Sequence, residues 1–91
     1  MLVSAVAVWE VAIKQSMGKL RLAASFHESL LAAGFDALPV TFEHAALVAG
    51  LPFHHRDPFD RLLVAQAMVE RLTIVTADEE ITRYPVKVMR A

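Results

Sequence analysis

Residues 57–76, DPFDRLLVAQAMVERLTIVT, decide the fold class of this chain. Asp57 and Pro58 are a typical helix-start pair, and the apolar pattern after them predicts a helix to about Arg71. Residues 72–76, LTIVT, are rich in β-branched side chains and carry no charge, which predicts a strand buried on both faces. A helix that leads directly into such a strand is typical of α/β proteins with a parallel sheet.

Further elements are predicted on both sides of this stretch, where glycine, proline and capping residues divide the chain. Ser4 is expected to cap one helix, and Ser25 to cap a second with Glu28 in a capping box. The alternation of helices and strands predicts one domain over residues 1–91, with a small parallel sheet and helices on its faces. Helices are predicted over residues 4–18, 25–33, 41–49 and 77–83, and further strands over residues 37–41 and 86–89.

Length and composition exclude several classes of protein. Ninety-one residues, of which 56% are hydrophobic, fit one globular domain and exclude intrinsic disorder. The apolar runs are broken by Ser4, Glu10 and Gln66, so none reaches the roughly 20 residues of a membrane-spanning helix. A mean hydropathy of +0.45 is high for so small a chain, which predicts apolar surface that faces a partner or a missing part of the domain.

Cysteine content and net charge narrow the possibilities further. The chain has no cysteine, which excludes disulfides and thiolate metal sites and allows a reducing compartment such as the cytoplasm. Its formal net charge is −1, so it has no overall positive field to attract nucleic acid. Any contact with nucleic acid is therefore expected to be local.

Acidic residues at the ends of elements are the first candidates for chemistry. Asp78 follows the predicted strand, and ligands of open α/β sheets bind beyond the carboxyl ends of strands. Asp60 lies in the first turn of the long helix, and Glu10 lies in an apolar helix. Each also has a structural alternative. Asp60 and Asp78 can satisfy free amides at a helix start, as can Thr76, and Glu10 can form a surface pair with Lys14.

Three acids that meet would suit Mg²⁺ or Mn²⁺, since these ions prefer oxygen ligands and keep several waters. The loop before the long helix offers a different set, His54, His55 and Asp57 in the pattern HHxD, which suits transition metals. Adjacent histidines seldom reach one ion, so a solvated loop and a capping role for Asp57 are the preferred interpretation. Arg56 and Arg61 flank the acids and either bind phosphate or form ordinary ion pairs.

Several motifs, in order along the chain, resemble one known family. The run HHRDPFDRLLVAQAMVERLTIVTAD at residues 54–78, followed by I-x-x-Y-P-V at 81–86, is similar to the C-terminal half of PIN-domain ribonucleases. The run SAVAVWEVAIKQSMGKLRL at residues 4–22 resembles the middle of that family, and LPV at 38–40 and LP at 51–52 also fit. More narrowly, the chain resembles the VapC-type toxins of bacterial toxin–antitoxin pairs.

The resemblance implies an α/β/α sandwich whose acids bind Mg²⁺ or Mn²⁺ and activate water to cleave an RNA phosphodiester. It also implies a cognate antitoxin as a partner, and the apolar excess makes a homodimer an expectation. The family's first strand and its metal-binding Asp have no counterpart here, so we expect an N-terminally incomplete domain. The matching positions are Glu10, Asp60 and Asp78 as catalytic metal ligands, with Thr76, Asp57 and Arg61 as supporting residues.

Three hypotheses follow. The first is a metal-dependent ribonuclease toxin, which requires the three acids to converge. The second is a catalytically inactive PIN-like remnant that binds an antitoxin or another protein. The third is a hydrolase of another kind that uses His54, His55 and Asp57 with a transition metal.

Overall fold

The computed structural model describes residues 1–21, 25–76 and 78–90. It divides into two compact units, Met1–Val40 and Thr41–Ala91, and each is described by itself. The described part contains helices and two small parallel sheets, which confirms the predicted α/β class with parallel strands. Within it, no helix combines the length and the apolar character that crossing a bilayer requires.

The first unit contains strand β1 (Leu2–Ser4), helix α1 (Ala5–Ser16), helix α2 (Phe26–Ala32) and strand β2 (Asp36–Leu38). The two strands are paired in parallel. Ser4 caps α1 as predicted, because its Oγ accepts the amide N–H of Val6 at 3.0 Å. The predicted capping box of α2 is wrong: the Ser25 side chain caps no amide, and its Oγ lies 2.9 Å from Nδ1 of His27.

Strand β1 was not predicted from the sequence. Its three residues run straight into the cap of α1, and so short a segment shows no alternation of polar and apolar side chains. With β1 included, the described residues form four strands in two parallel pairs rather than the three strands of the predicted sheet.

The second unit contains most of the buried residues. Its elements are helix α3 (Phe42–Leu47) with a 3₁₀ turn (Val48–Gly50), helix α4 (Pro58–Glu70), strand β3 (Thr73–Thr76), a 3₁₀ helix (Glu79–Arg83) and strand β4 (Lys87–Arg90). Strands β3 and β4 pair in parallel, with Thr73 opposite Lys87. The core of this unit is formed by Leu51, Val64, Ala65, Ile81 and Tyr84.

Strand β3 is less buried than predicted. Its side chains alternate between exposed and partly buried, and Val75 is 56% exposed, so the prediction of burial on both faces is wrong. Among the described residues, β3 is paired with β4 alone. The uncharged, β-branched residues 72–76 therefore did not indicate a strand buried on both faces.

The ends of α4 agree with the sequence. Asp57 caps the helix through Oδ1, which accepts the amide N–H of Phe59 at 2.9 Å, and Pro58 occupies the first helical position. The helix ends at Glu70, and its C-cap Arg71 adopts the left-handed conformation with φ 56°. Because glycine is the usual residue there, Arg71 carries a backbone cost at this position.

A buried histidine joins α3 to α4. The amide N–H of Thr41 donates to Nδ1 of His44 at 3.0 Å, and the His44 amide donates to Oγ1 of Thr41 at 3.3 Å. Since Nδ1 accepts a hydrogen bond, the ring proton lies on Nε2, which donates to Oε2 of Glu70 at 3.1 Å. His44 thus has a structural role.

Candidate metal centre

Three side chains from separate segments of the second unit converge on one point. His55 lies in the loop before α4, Asp60 in the first turn of α4, and Asp78 at the start of the 3₁₀ helix after β3. Nε2 of His55 lies 2.7 Å from Oδ2 of Asp78 and 3.1 Å from Oδ2 of Asp60. One potential ligand atom of each side chain lies within 4.8 Å of the other two, so oxygens of both carboxylates could contact one small ion.

Backbone contacts hold Asp78 in place. Its Oδ1 accepts the amide N–H of Glu80 at 2.9 Å, and its own amide donates to Oγ1 of Thr76 at 3.1 Å. The sequence indicated Asp78 and Thr76 as alternative residues for binding the free amides at this helix start, and both do so. Asp78 caps the 3₁₀ helix and Thr76 binds the Asp78 amide, yet Oδ2 of Asp78 still faces the cluster.

The His55 imidazole is anchored on its far side. The amide N–H of Asp57 donates to Nδ1 of His55 at 3.0 Å, so Nδ1 carries no proton. The neutral ring then has its proton on Nε2, and this N–H donates to the carboxylates of Asp60 and Asp78. Asp57, the helix cap, thereby also fixes the orientation of the ring.

The backbone of the same loop is held by Tyr84 and Arg61. The Tyr84 hydroxyl accepts the His55 amide at 3.0 Å and donates to the carbonyl of Pro52 at 2.8 Å. The Arg61 guanidinium, whose residue is only 5% exposed, donates to the carbonyls of Pro52, Val48 and Leu51 at 2.9 to 3.2 Å. These contacts tie Arg61 to the backbone before α4, and its predicted role as a supporting residue of the site stays a prediction.

The groups of the cluster shift the pKa values of His55 and Asp78 in opposite directions. The hydrogen bond to Asp78 raises the pKa of His55, partial burial acts in the opposite direction, and the charge of Asp60 raises it further. The same hydrogen bond, together with the Glu80 amide, lowers the pKa of Asp78. The Asp57 amide donates to the lone pair of Nδ1 and so opposes protonation of that nitrogen, whereas the carboxylates near Nε2 favour a charged ring.

The carboxylates suit a hard divalent cation. Mg²⁺ is commonly held by one or two carboxylates, with water and substrate phosphate oxygens completing its coordination. Asp60 and Asp78 supply that number of ligands, one from the first turn of α4 and one from the cap of the 3₁₀ helix. The His55 ring, in the tautomer that the Asp57 amide requires, offers an N–H rather than a lone pair. The donor set therefore fits an oxygen-binding ion such as Mg²⁺ or Mn²⁺.

Two sequence interpretations of the histidine loop are wrong. His55 is not simply solvated, because it contacts two of the predicted acids. The HHxD ligand set is not assembled: the His54 ring packs edge-on against Tyr84, with centroids 5.0 Å apart, and Asp57 caps α4. From the sequence, His55 was considered only as a solvated residue or as a ligand of the HHxD set, and its contacts with Asp60 and Asp78 were not predicted. Its position two residues before a helix-capping Asp was the local feature that could have indicated an ordered ring. The contact with Asp78 forms only in the tertiary structure.

Glu10 lies in the first unit, on α1. Its Oε2 is 3.5 Å from Nζ of Lys14, the surface pair expected from their spacing. The prediction that Glu10 also binds the metal stays a prediction.

Comparison with known protein families gives a match over most of the chain. The sequence matches the family profile described as the PIN domain over residues 1–87, nearly its whole length. No curated protein matches the chain.

Proposed function

The chain belongs to the PIN domain family, and from that premise we propose that it is a metal-dependent endoribonuclease that hydrolyses RNA phosphodiesters. PIN domains are nuclease-type proteins that act on RNA and generally use divalent metals. The observation that carries the proposal is the convergence of Asp60 and Asp78 on one point, at 3.1 and 2.7 Å from Nε2 of His55.

In this proposal Asp60 and Asp78 hold Mg²⁺ or Mn²⁺. A bound divalent ion lowers the pKa of a coordinated water and stabilises charge on a phosphate oxygen. The protein orients the ligands beforehand. Helix α4 fixes Asp60 in its first turn, while the Glu80 and Thr76 contacts fix Asp78. Glu10 is retained as a third acid on the sequence evidence.

The finer part of the proposal is a VapC-type toxin of a bacterial type II toxin–antitoxin pair, with a cognate antitoxin as partner. Exposed aromatic side chains support a protein partner: Phe42 is 94% exposed and Phe53 is 82% exposed. Single exposed apolar residues are common, but large aromatic ones are enriched at interfaces. A second copy of the chain is the other partner we propose. The same observation supports the alternative of an inactive PIN-like binding protein.

The test is RNA cleavage by the purified chain with Mn²⁺ or Mg²⁺, compared with EDTA. Asp60→Asn removes one ligand charge and keeps the side-chain shape, and Asp36→Asn on β2 is the matched control. We expect cleavage that EDTA abolishes, that Asp60→Asn loses and that Asp36→Asn retains. Equal cleavage by all three proteins would overturn the proposal, and no cleavage by any of them would select the inactive binding protein.

Glu10→Gln in the same assay tests the third acid. If Glu10 is a ligand, cleavage falls well below that of the parent chain. If cleavage is unchanged, Glu10 is only the partner of Lys14, and the roles of Asp60 and Asp78 are unaffected.

A further inference from the structure

A single N–H group faces both carboxylates of the candidate metal centre. Nε2 of His55 lies 2.7 Å from Asp78 and 3.1 Å from Asp60. Two carboxylates this close repel each other when no cation is bound, which favours rotation of one of them away from the site. A shared hydrogen-bond donor opposes that rotation.

The imidazole that supplies this N–H is fixed from two directions. Its Nδ1 accepts the Asp57 amide at 3.0 Å, and its own backbone amide donates to the Tyr84 hydroxyl at 3.0 Å. A ring with both its backbone and its far nitrogen engaged is poorly able to swing out when an ion enters. A carboxylate oxygen has two lone pairs and can therefore bind an ion while it still accepts the His55 proton.

We propose that His55 is a positioning residue of the metal centre, which holds Asp60 and Asp78 in their ion-binding orientation through one shared N–H and is not itself a ligand. The inference rests on the proposed function, since it assumes a cation at these carboxylates. Hydrogen-bonded partners of metal ligands typically change metal affinity 10- to 100-fold when they are removed. The donor itself, rather than the shape of the ring, is what the site needs.

The test is Mn²⁺ binding to the folded chain in the absence of RNA, measured by titration calorimetry and by the electron paramagnetic resonance signal of free Mn²⁺. His55→Ala removes the donor, and His55→Gln can restore an N–H near the position of Nε2. His54→Ala is the matched control in the same loop. Thermal unfolding in EDTA is recorded for every variant, so that affinities are compared between folded proteins only.

We expect His55→Ala to weaken Mn²⁺ binding about tenfold or more. His55→Gln should recover a large part of that loss, and His54→Ala should stay within about twofold of the parent. Unchanged or tighter binding by His55→Ala would overturn the inference, as would equal losses in the His54 and His55 variants or no recovery with glutamine. A merely structural role would lower the unfolding temperature without this pattern of affinities.

Asp60→Asn in the same titration separates the two proposals. If it abolishes binding while His55→Ala binds Mn²⁺ as tightly as the parent chain, only the role of His55 is refuted. If Asp60→Asn binds Mn²⁺ like the parent chain, the metal centre of the proposed function is refuted as well.

Discussion

Replacing Arg61 by lysine should destabilise the second unit strongly. The guanidinium spans three carbonyl oxygens with its two terminal nitrogens: Nη1 donates to Pro52, and Nη2 donates to Val48 and Leu51. A lysine keeps the charge but places its donors on a single nitrogen, which cannot reproduce this fork. The variant would leave one or two carbonyls of the loop without their partner.

The magnitude follows from the contacts that lysine loses. A hydrogen bond from a charged donor contributes about 1.5–3 kcal/mol, so the loss of one or two predicts a decrease of about 3 kcal/mol in the free energy of unfolding. The guanidinium also lies 4.2 Å from the centroid of the Phe53 ring, a cation–π contact of about 0.5 kcal/mol at an exposed site. The total free energy of unfolding of a small domain is only about 5–15 kcal/mol, so this loss would be a large part of it.

Urea unfolding followed by far-ultraviolet circular dichroism measures this loss. With a slope of about 1.5 kcal/mol per molar, typical of a small protein, the midpoint should fall by about 2 M. Trp9 is the only tryptophan and lies in the first unit, so its fluorescence monitors that unit separately. Arg56→Lys, an exposed change in the same loop, should cost less than about 0.5 kcal/mol. A loss below about 1 kcal/mol for Arg61→Lys would refute the reasoning.

Other substitutions and pH give further tests. Arg71→Gly should raise the free energy of unfolding by about 1 kcal/mol, because glycine adopts the left-handed backbone without a steric cost; no change in a urea titration would contradict this. Tyr84→Phe should lower it by about 2 kcal/mol, since the partly buried amide of His55 loses its acceptor and the carbonyl of Pro52 loses one of its two donors; a thermal melt like that of the parent chain would contradict it. In EDTA, the contribution of His55 to the free energy of unfolding is complete below its ordinary pKa of 6.5 and is lost as the pH rises through its raised pKa. The contribution of Asp78 is complete above its ordinary pKa of 3.8 and is lost as the pH falls through its lowered pKa. The urea midpoint should therefore be highest between pH 3.8 and pH 6.5. His55→Gln should remove the decline above this range, and an identical decline in that variant would show that another group causes it.

Local sequence signals predicted the elements that local interactions determine. The start of α4 follows from Asp57 and Pro58, and the start of α1 from Ser4, because a cap acts within three residues of itself. Strand β1 could not be predicted, since three residues acquire their conformation from pairing with β2, more than thirty positions later. The burial of β3 was overestimated for the same reason, because strand neighbours are a tertiary property.

In the candidate site, too, local features could be predicted from the sequence and tertiary contacts could not. Asp60 and Asp78 were identified from their positions at helix starts and from the family motif, and both lie in the cluster. The contacts of His55 with Asp60 and Asp78 were not predicted because these residues lie 5 and 23 positions away, and only the folded chain brings them together. Arg61 was interpreted as a group for phosphate or an ion pair, whereas its partners are backbone carbonyls that no side-chain pattern reveals.

We propose that Asp60 and Asp78 hold one divalent cation while His55 orients them. Anomalous scattering from crystals soaked in Mn²⁺ tests this most directly, since it locates the ion without reference to activity. We predict a peak about 2.1 Å from one oxygen of each aspartate, with the imidazole of His55 still hydrogen-bonded to both carboxylates and outside the coordination sphere. No peak at saturating Mn²⁺, a peak away from these aspartates, or direct ligation by His55 would contradict the account.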